Sequence, residues 1–160
     1  MGKIKIIAAI GKNRELGKNN NLIWSFKEDM KFFKENTINH KIVMGLNTFN
    51  SLPSLLKNRE HIVLSYEKID IDNVKVFTDF QELLNFIKNL EEDVFIIGGG
   101  LIYNLFIEYC DELLLTEIEA DCLEADIFFP EFNKDNFYRE ILSENEEKGI
   151  KYNFVKYRRI

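Results

Sequence analysis

The sequence predicts one α/β domain over residues 1–160, with a mostly parallel central sheet, helices on both faces and an antiparallel C-terminal hairpin. Three observations carry this expectation. Short apolar runs alternate with segments of helical periodicity through most of the chain. Those runs are nearly continuous in apolar residues, as in strands buried on both faces. Near the C-terminus two strand-like segments follow one another across a polar turn, without a helix between them.

Each element has its own signal. Residues 4–10 (IKIIAAI) read as a buried strand, and residues 11–21 (GKNRELGKNNN), polar and rich in Gly and Asn, as a long loop. Ser25 is placed to cap a helix starting at Phe26, with Glu28 and Asp29 in its first turn, where the helix dipole favours negative charge. Residues 41–45 (KIVMG) form a second strand, and residues 48–52 a short helix stopped by Pro53. Residues 61–65 (HIVLS) and 74–77 (VKVF) are strands. Asp79 caps a helix through Leu90, with Phe80, Leu83, Leu84 and Ile87 at helical spacing. Residues 93–97 (DVFII) are a buried strand that runs into Gly98-Gly99-Gly100 and a helix to about Tyr109. Residues 112–118 are a strand, and residues 138–142 and 152–158, joined through 145–149, make the hairpin.

Composition narrows the function. With 46% hydrophobic and 30% charged residues the chain is globular in make-up. A net charge of −6 disfavours nucleic acid and anionic membranes as partners, while leaving room for a local basic pocket. Cys110, Cys122, His40 and His61 are too few and too scattered for a metal cage, so no metal is expected. The two cysteines suit free thiols in a reducing cytosol, with a disulfide as the alternative. The opening residues (MGKIKI) lack the apolar core of a signal peptide, and Ile6 stands where a myristoylation signal needs Ser or Thr. No apolar run approaches spanning length, so a cytoplasmic protein off the membrane is expected.

Few segments bear chemistry. In residues 96–103 (IIGGGLIY), glycines between a strand and a helix let a ligand approach the backbone, beside free N–H groups at the helix start. Tyr103 occupies the last position of what would be G-x-G-x-x-G, so a phosphate site and a tight turn both remain open. At about 100° per residue, Phe26, Met30 and Phe33 share a helix face, with Asp29 about 60° from Phe26. Asp29 is thus either a first-turn acid or a partly buried carboxylate that pairs with an amidine-like ligand group. Trp24, the one tryptophan, reads as a packing anchor. Arg59 either forks onto a ligand carboxylate or is solvated, and Lys34 faces solvent.

Taken together these residues resemble dihydrofolate reductase, and the resemblance covers nearly the whole chain. Its carriers are Ile7-Ala8-Ala9, Leu16-Gly17, Asn20 with Leu22, Trp24 followed by Asp29, Phe33, Thr37 and Val43-Met44-Gly45. They continue through Thr48-Phe49, Arg59, Leu64-Ser65, Ile97 to Gly100 with Tyr103, Thr116, and Asp126 before Phe128-Phe129-Pro130. The resemblance implies hydride transfer from NADPH to C6 of dihydrofolate, with N5 taking a proton from water. It implies a catalytic set of Asp29, Leu22, Trp24, Tyr103 and Thr116. The implied pterin pocket is lined by Ile7, Ala8, Leu22, Met30, Phe33, Leu52, Leu56, Ile97 and Tyr103, with Asp29 and Thr116 on the 2-amino and N3 edge. Arg59 is implied for the tail carboxylate, with Lys34 a weaker candidate.

The implied cofactor contacts are Ala9, Leu16, Gly17 and Asn20; Gly45, Leu46, Asn47 and Thr48; Leu64, Ser65 and Tyr66; and Ile97, Gly98, Gly99, Gly100, Leu101, Ile102 and Tyr103. Residues 11–25 match a mobile lid. The chain departs from the family pattern at Ile23, where proline is usual, and at Leu46, where a basic residue is common; Tyr66 and Leu101 also lack charge on the cofactor path. Antifolates are implied as ligands, and a monomer as the working unit. A pyrimidine reductase of riboflavin synthesis and a non-catalytic nucleotide-binding module are the rivals. The arrangement from Trp24 to Asp29 favours the folate enzyme over the first; only turnover separates it from the second.

Overall fold

The structure, a computed structural model, describes residues 2–19 and 21–160. Asn20, assigned above to the cofactor contacts, lies outside the described residues. In chain order the first elements are β1 (Ile4–Ile10), β2 (Glu15–Lys18), β3 (Asn21–Leu22), α1 (Lys27–Thr37), β4 (Lys41–Gly45), α2 (Leu46–Ser51), β5 (Glu60–Leu64) and β6 (Val74–Phe77). Then come α3 (Phe80–Lys88), β7 (Val94–Gly98), α4 (Gly100–Phe106), β8 (Glu112–Ile118), β9 (Ile127–Phe128), a 3-10 turn at Lys134–Asn136, β10 (Phe137–Glu147) and β11 (Ile150–Arg159).

One sheet holds eight strands in the order β10-β11-β8-β1-β7-β4-β5-β6. The six from β8 to β6 run parallel, and β11 and β10 close the β8 side antiparallel. Side chains alternate between two faces, so each central strand feeds two cores. Ile4, Ile6 and Ile10 of β1 join Val43, Ile62, Ile96, Leu113 and Leu115 against α3 and α4. Ile7 joins Ile42, Met44, Val63, Phe95 and Leu114 on the other face, where Phe32 and Phe33 of α1 and Leu46 and Phe49 of α2 pack.

Three sequence expectations are corrected. The segment 11–21 is not a plain loop, because β2 pairs with β3 and with the distant β9 in a small three-stranded sheet. A local reading of Gly and Asn sees turns and misses a partner more than a hundred residues away. The short helix begins at Leu46, two residues before the expected start, directly on the end of β4. Ser25 does not cap α1: the N-cap is Phe26, and no side chain within the helix start closes it. Both carboxylate oxygens of Glu147 instead lie 3.0 Å from the Lys27 N–H and accept its hydrogen bond. Asp79 does cap α3 as expected, accepting from the Glu82 N–H at 3.0 Å.

Glu147 reaches α1 from the turn of the β10–β11 hairpin. Lys148 and Gly149 both have positive φ, 56° and 76°, the pairing of a tight two-residue hairpin turn. The Lys148 ammonium donates to the Ser25 carbonyl at 3.1 Å, so the turn holds the start of α1 by two bonds. Glu147→Ala therefore removes a charged cap, at a cost of about 1 kcal/mol. Thermal denaturation checks this as a fall in Tm of about 2–4 °C.

Candidate active site

The parallel strands end together, and the turns that leave them are where a ligand can meet backbone. After β4 the chain turns into α2 on one face; after β7, the neighbour of β4, it turns into α4 on the other. A crevice opens where adjacent strands send their connections to opposite faces. The two turns approach closely: a β-carbon built on Gly99 would stand 3.4 Å from Thr48 Oγ1. Neither helix carries a side-chain cap, so the N–H groups at both starts remain available in the crevice. Gly98 has φ +129°, and a β-carbon there would approach the Tyr103 hydroxyl to 3.3 Å, so glycine is required. The Gly98–Gly99 peptide is cis.

On the α1 side of β1, Asp29 is half-buried and its Oδ1 accepts a 2.5 Å hydrogen bond from the buried Thr116 hydroxyl of β8. Burial raises the Asp29 pKa above its ordinary 3.8; the Thr116 bond opposes this and the Glu147 charge adds to it. Behind β1, Tyr103 is buried and donates from its hydroxyl to the Ile7 carbonyl at 2.8 Å. Burial, then the charge of Asp29, raises its pKa, so it remains a neutral donor. This bond ties α4 to the strand lining the cleft.

Of the implied pocket residues, Ile7, Phe33, Leu52, Leu56 and Ile97 come together in the second core. Ala8 alternates to the first core, so its methyl points away from Asp29. Ala9 and Trp24 pack with Phe26 around Phe154 and Tyr152. The expected helix face is corrected at Met30: this side chain is 63% exposed, and the apolar face of α1 runs through Phe26, Phe32 and Phe33. Phe32 stacks on Phe154 with centroids 4.1 Å apart. Leu22, on β3, is 77% exposed.

Arg59 is half-buried just before β5. Its Nε donates to the Lys57 carbonyl at 3.1 Å and its Nη1 to Thr37 Oγ1 at 3.0 Å. Among the described residues no carboxylate pairs with it, which leaves most of its five donors free. Burial lowers its pKa, though a guanidinium stays charged. Lys34 is exposed in the last turn of α1.

The remaining cofactor candidates divide. Leu46, Leu64 and Leu16 are half-buried against the cores, and Ile102 is buried. Asn47, Tyr66 and Leu101 are exposed. Ser65 is buried, and its Oγ accepts from the Glu67 N–H at 3.1 Å while its own proton stays free to donate. Gly17 lies in β2, where its carbonyl accepts from the Asp126 N–H at 3.0 Å. Asp126 Oδ2 in turn accepts from the Asn19 N–H at 3.0 Å, and Lys18 pairs with Glu124.

Sequence reasoning missed Glu15, which is buried and accepts from the Asn13 N–H and the Cys122 N–H, both at 2.7 Å. These bonds hold its pKa down despite burial. Glu15 joins the base of the 11–25 segment to the chain before β9, and an acid inside a polar run gives no periodic signal of burial. Among the described residues no group of His, Cys, Asp or Glu could hold a metal, and Cys110 and Cys122 are free thiols.

Comparison with known proteins places this geometry. The dihydrofolate reductase family model matches residues 3–159. The dihydrofolate reductase of Bacillus subtilis is 35% identical over 159 residues, covering 96% of this chain and 93% of that protein. That of Staphylococcus haemolyticus is 33% identical, covering 93% and 87%, and that of Haemophilus influenzae 33% identical, covering 80% and 79%. Dihydrofolate reductases are NADPH-dependent oxidoreductases that reduce dihydrofolate to tetrahydrofolate, and this chain belongs to their family.

Proposed function

We propose that the family's reaction runs in the crevice between α1 and α2, with Asp29 and Thr116 on the 2-amino and N3 edge of the pterin. The observation that carries this reading is the half-buried Asp29 carboxylate, whose one side-chain hydrogen-bond partner among the described residues is the Thr116 hydroxyl. A desolvated carboxylate favours a ligand edge rich in N–H donors. Phe33, Leu52, Leu56, Ile7 and Ile97 supply the apolar walls, and the exposed Leu22 and Met30 cover the ligand from the open side. Trp24 anchors the lid segment above Asp29. Arg59 receives the tail carboxylate, with Lys34 contributing charge at longer range.

The uncapped starts of α2 and α4, facing each other across Gly99 and Thr48, suit the pyrophosphate of a dinucleotide. Ser65 and Tyr66 lie toward the adenosine end; Ala9, Gly17 and Gly98 toward the nicotinamide. When bound, NADPH supplies the hydride that reduces C6 of the pterin. Asp29 keeps the pterin oriented and its negative charge favours the protonated imine at N5, the proton coming from water. Tyr103 holds the Ile7 carbonyl and the Gly98 turn in place. The lid, fastened through Asp126, excludes bulk water.

We further read residues 1–160 as a single domain that works as a cytoplasmic monomer. Among the described residues no helix is long and apolar enough to cross a membrane. Loss of NADPH absorbance that depends on added dihydrofolate tests the whole reading. 2,4-Diaminopyrimidine antifolates, cationic opposite Asp29, are expected to compete with dihydrofolate.

Asp29→Asn tests the carboxylate. Loss of one charge-assisted bond, about 1.5–3 kcal/mol, lowers kcat/KM by roughly tenfold to over a hundredfold. The same variant gains stability at neutral pH. Since the folded pKa of Asp29 lies above its ordinary 3.8, the native state holds this proton more tightly than the unfolded chain. Wild-type stability therefore falls as pH rises through that window. Denaturant titrations are expected to show the variant's advantage above the window and none below it.

Arg59→Ala is expected to raise KM for dihydrofolate about tenfold while sparing affinity for a diaminopyrimidine without a carboxylate, as losing one charged contact implies. Equal weakening of both ligands assigns Arg59 to the fold.

At Leu46 the helix that faces the cofactor lacks charge, and Leu46→Arg is expected to raise the NADPH to NADH ratio of kcat/KM by roughly an order of magnitude. Added salt shrinks that gain.

A further inference from the structure

His61 lies in the second position of β5 and is 3% exposed, yet its ring meets two main-chain groups of opposite kind. Nε2 lies 3.1 Å from the Leu56 N–H, a donor, and Nδ1 lies 3.1 Å from the Arg59 carbonyl, an acceptor. One tautomer satisfies both: the neutral ring with its proton on Nδ1 and its lone pair on Nε2. Leu56 and Arg59 are the two ends of the turn that leads into β5, so one ring fastens both. Within the turn Asn58 is in the left-handed region, φ 59°, and its carbonyl accepts from the Asn39 N–H at 2.8 Å just beyond α1. Phe49 of α2 meets the ring edge-on at 6.4 Å. Arg59 then extends to Thr37, whose hydroxyl donates to the Phe33 carbonyl at 2.8 Å.

We propose that His61 is a positioning residue for the tail-carboxylate site: its neutral ring fastens the 56–59 turn so that the Arg59 guanidinium and the Leu56 side chain face the substrate together. This rests on the reading of Arg59 given above. A proton added at Nε2 would set two donors against each other and release the Leu56 N–H. It would also place a second buried cation beside Arg59. Burial, and then the Arg59 charge, hold the ring below its ordinary 6.5, against the opposing bond to the Arg59 carbonyl.

The other charged groups near His61 in the sheet lie on three strands. A cavity of about 380 Å³ that reaches His61 is also lined by Lys41 of β4, Glu60 of β5 and Lys75 of β6. Lys41 is paired with Glu60 and Glu92, and Lys75 sits over the Phe86 ring at 4.5 Å. Arg59 is the cation whose charge acts on the ring, and the turn is the part that a protonated ring would disturb.

The measurement is the ratio of KM for dihydrofolate to KM for 6-methyl-7,8-dihydropterin, which has the same pterin without the carboxylate tail. The pterin is common to both, so titration of Asp29 cancels in the ratio. His61→Phe is expected to raise the ratio about tenfold, with kcat and NADPH affinity within twofold of wild type. In His61→Asn, whose amide offers a donor and an acceptor in place of the ring nitrogens, the ratio is expected to stay within twofold of wild type. An unchanged ratio in a folded His61→Phe variant overturns the proposal, as does a ratio in His61→Asn raised as far as in His61→Phe. Arg59→Ala separates the two claims. If it leaves the ratio unchanged, the tail reading has failed; if it raises the ratio and His61→Phe does not, His61 alone is misassigned.

Discussion

Everything in the cleft depends on one geometric constraint, the alternation of side chains along β1. This strand lies between β7 and β8 with helices on both faces, so consecutive residues must serve different cores. Ile6, Ala8 and Ile10 are committed to the α3 and α4 side, and Ile7 to the side that Asp29 occupies. A shift of one residue would exchange these sets and remove the floor of the site. The register is held from both flanks: β1 pairs with β8 over six residues, including Ala9 with Thr116, and with β7 over three. Tyr103 adds a side-chain bond from α4 to the Ile7 carbonyl, so the β1 residue in the second core is fastened from behind.

The same constraint explains why a carboxylate survives where apolar packing would be more stable. Thr116 lies on the same face as Leu114, and α1 crosses that face with Phe32 and Phe33 turned inward. Asp29, next to this face, can neither reach bulk water freely nor find a cation among its neighbours. Its bond to Thr116 offsets part of the desolvation, and the rest remains as a raised pKa. Sites that keep such a cost are where binding energy becomes available to a ligand that supplies the missing donors. Glu147 deepens the effect while capping the helix, so one hairpin turn both stabilises α1 and makes its first-turn acid harder to ionise.

The fold was legible where a signal is local. Apolar runs located β1, β4, β6 and β8 at their observed bounds, and the Asp79 cap was visible as short-range chemistry; the hairpin expected to join through 145–149 instead carries β10 on to Glu147, with its turn at Lys148-Gly149. What escaped depends on partners far along the chain. The β2–β3 hairpin exists because Ile127 and Phe128 complete its sheet, and Ser25 lost its capping role to Glu147 across 120 residues of sequence. In the site, Asp29 stood out from helical spacing and Arg59 from its place between Pro53 and a strand, whereas Thr116 took meaning only from the family resemblance. His61 carried a usable signal that went unread: it shares strand parity with Val63, which points into the second core.

The β2–β3 pair is lightly fastened, for a reason visible in its bonds. β3 is two residues long and exposed, and Leu22 contributes almost no buried surface. What fastens the segment is polar: the Asp126 N–H on the Gly17 carbonyl, the Asp126 carboxylate on the Asn19 N–H, and the Lys18–Glu124 pair on the surface. Exposed polar bonds of this kind exchange readily with water, so the opening free energy is small compared with that of the core. At its base the segment changes character, since Glu15 is buried and bonded to two backbone N–H groups. The segment is thus firm at Glu15, which is buried, and lightly fastened at β3, which is exposed. Ile23 stands between β3 and Trp24 without the fixed φ that a proline would impose.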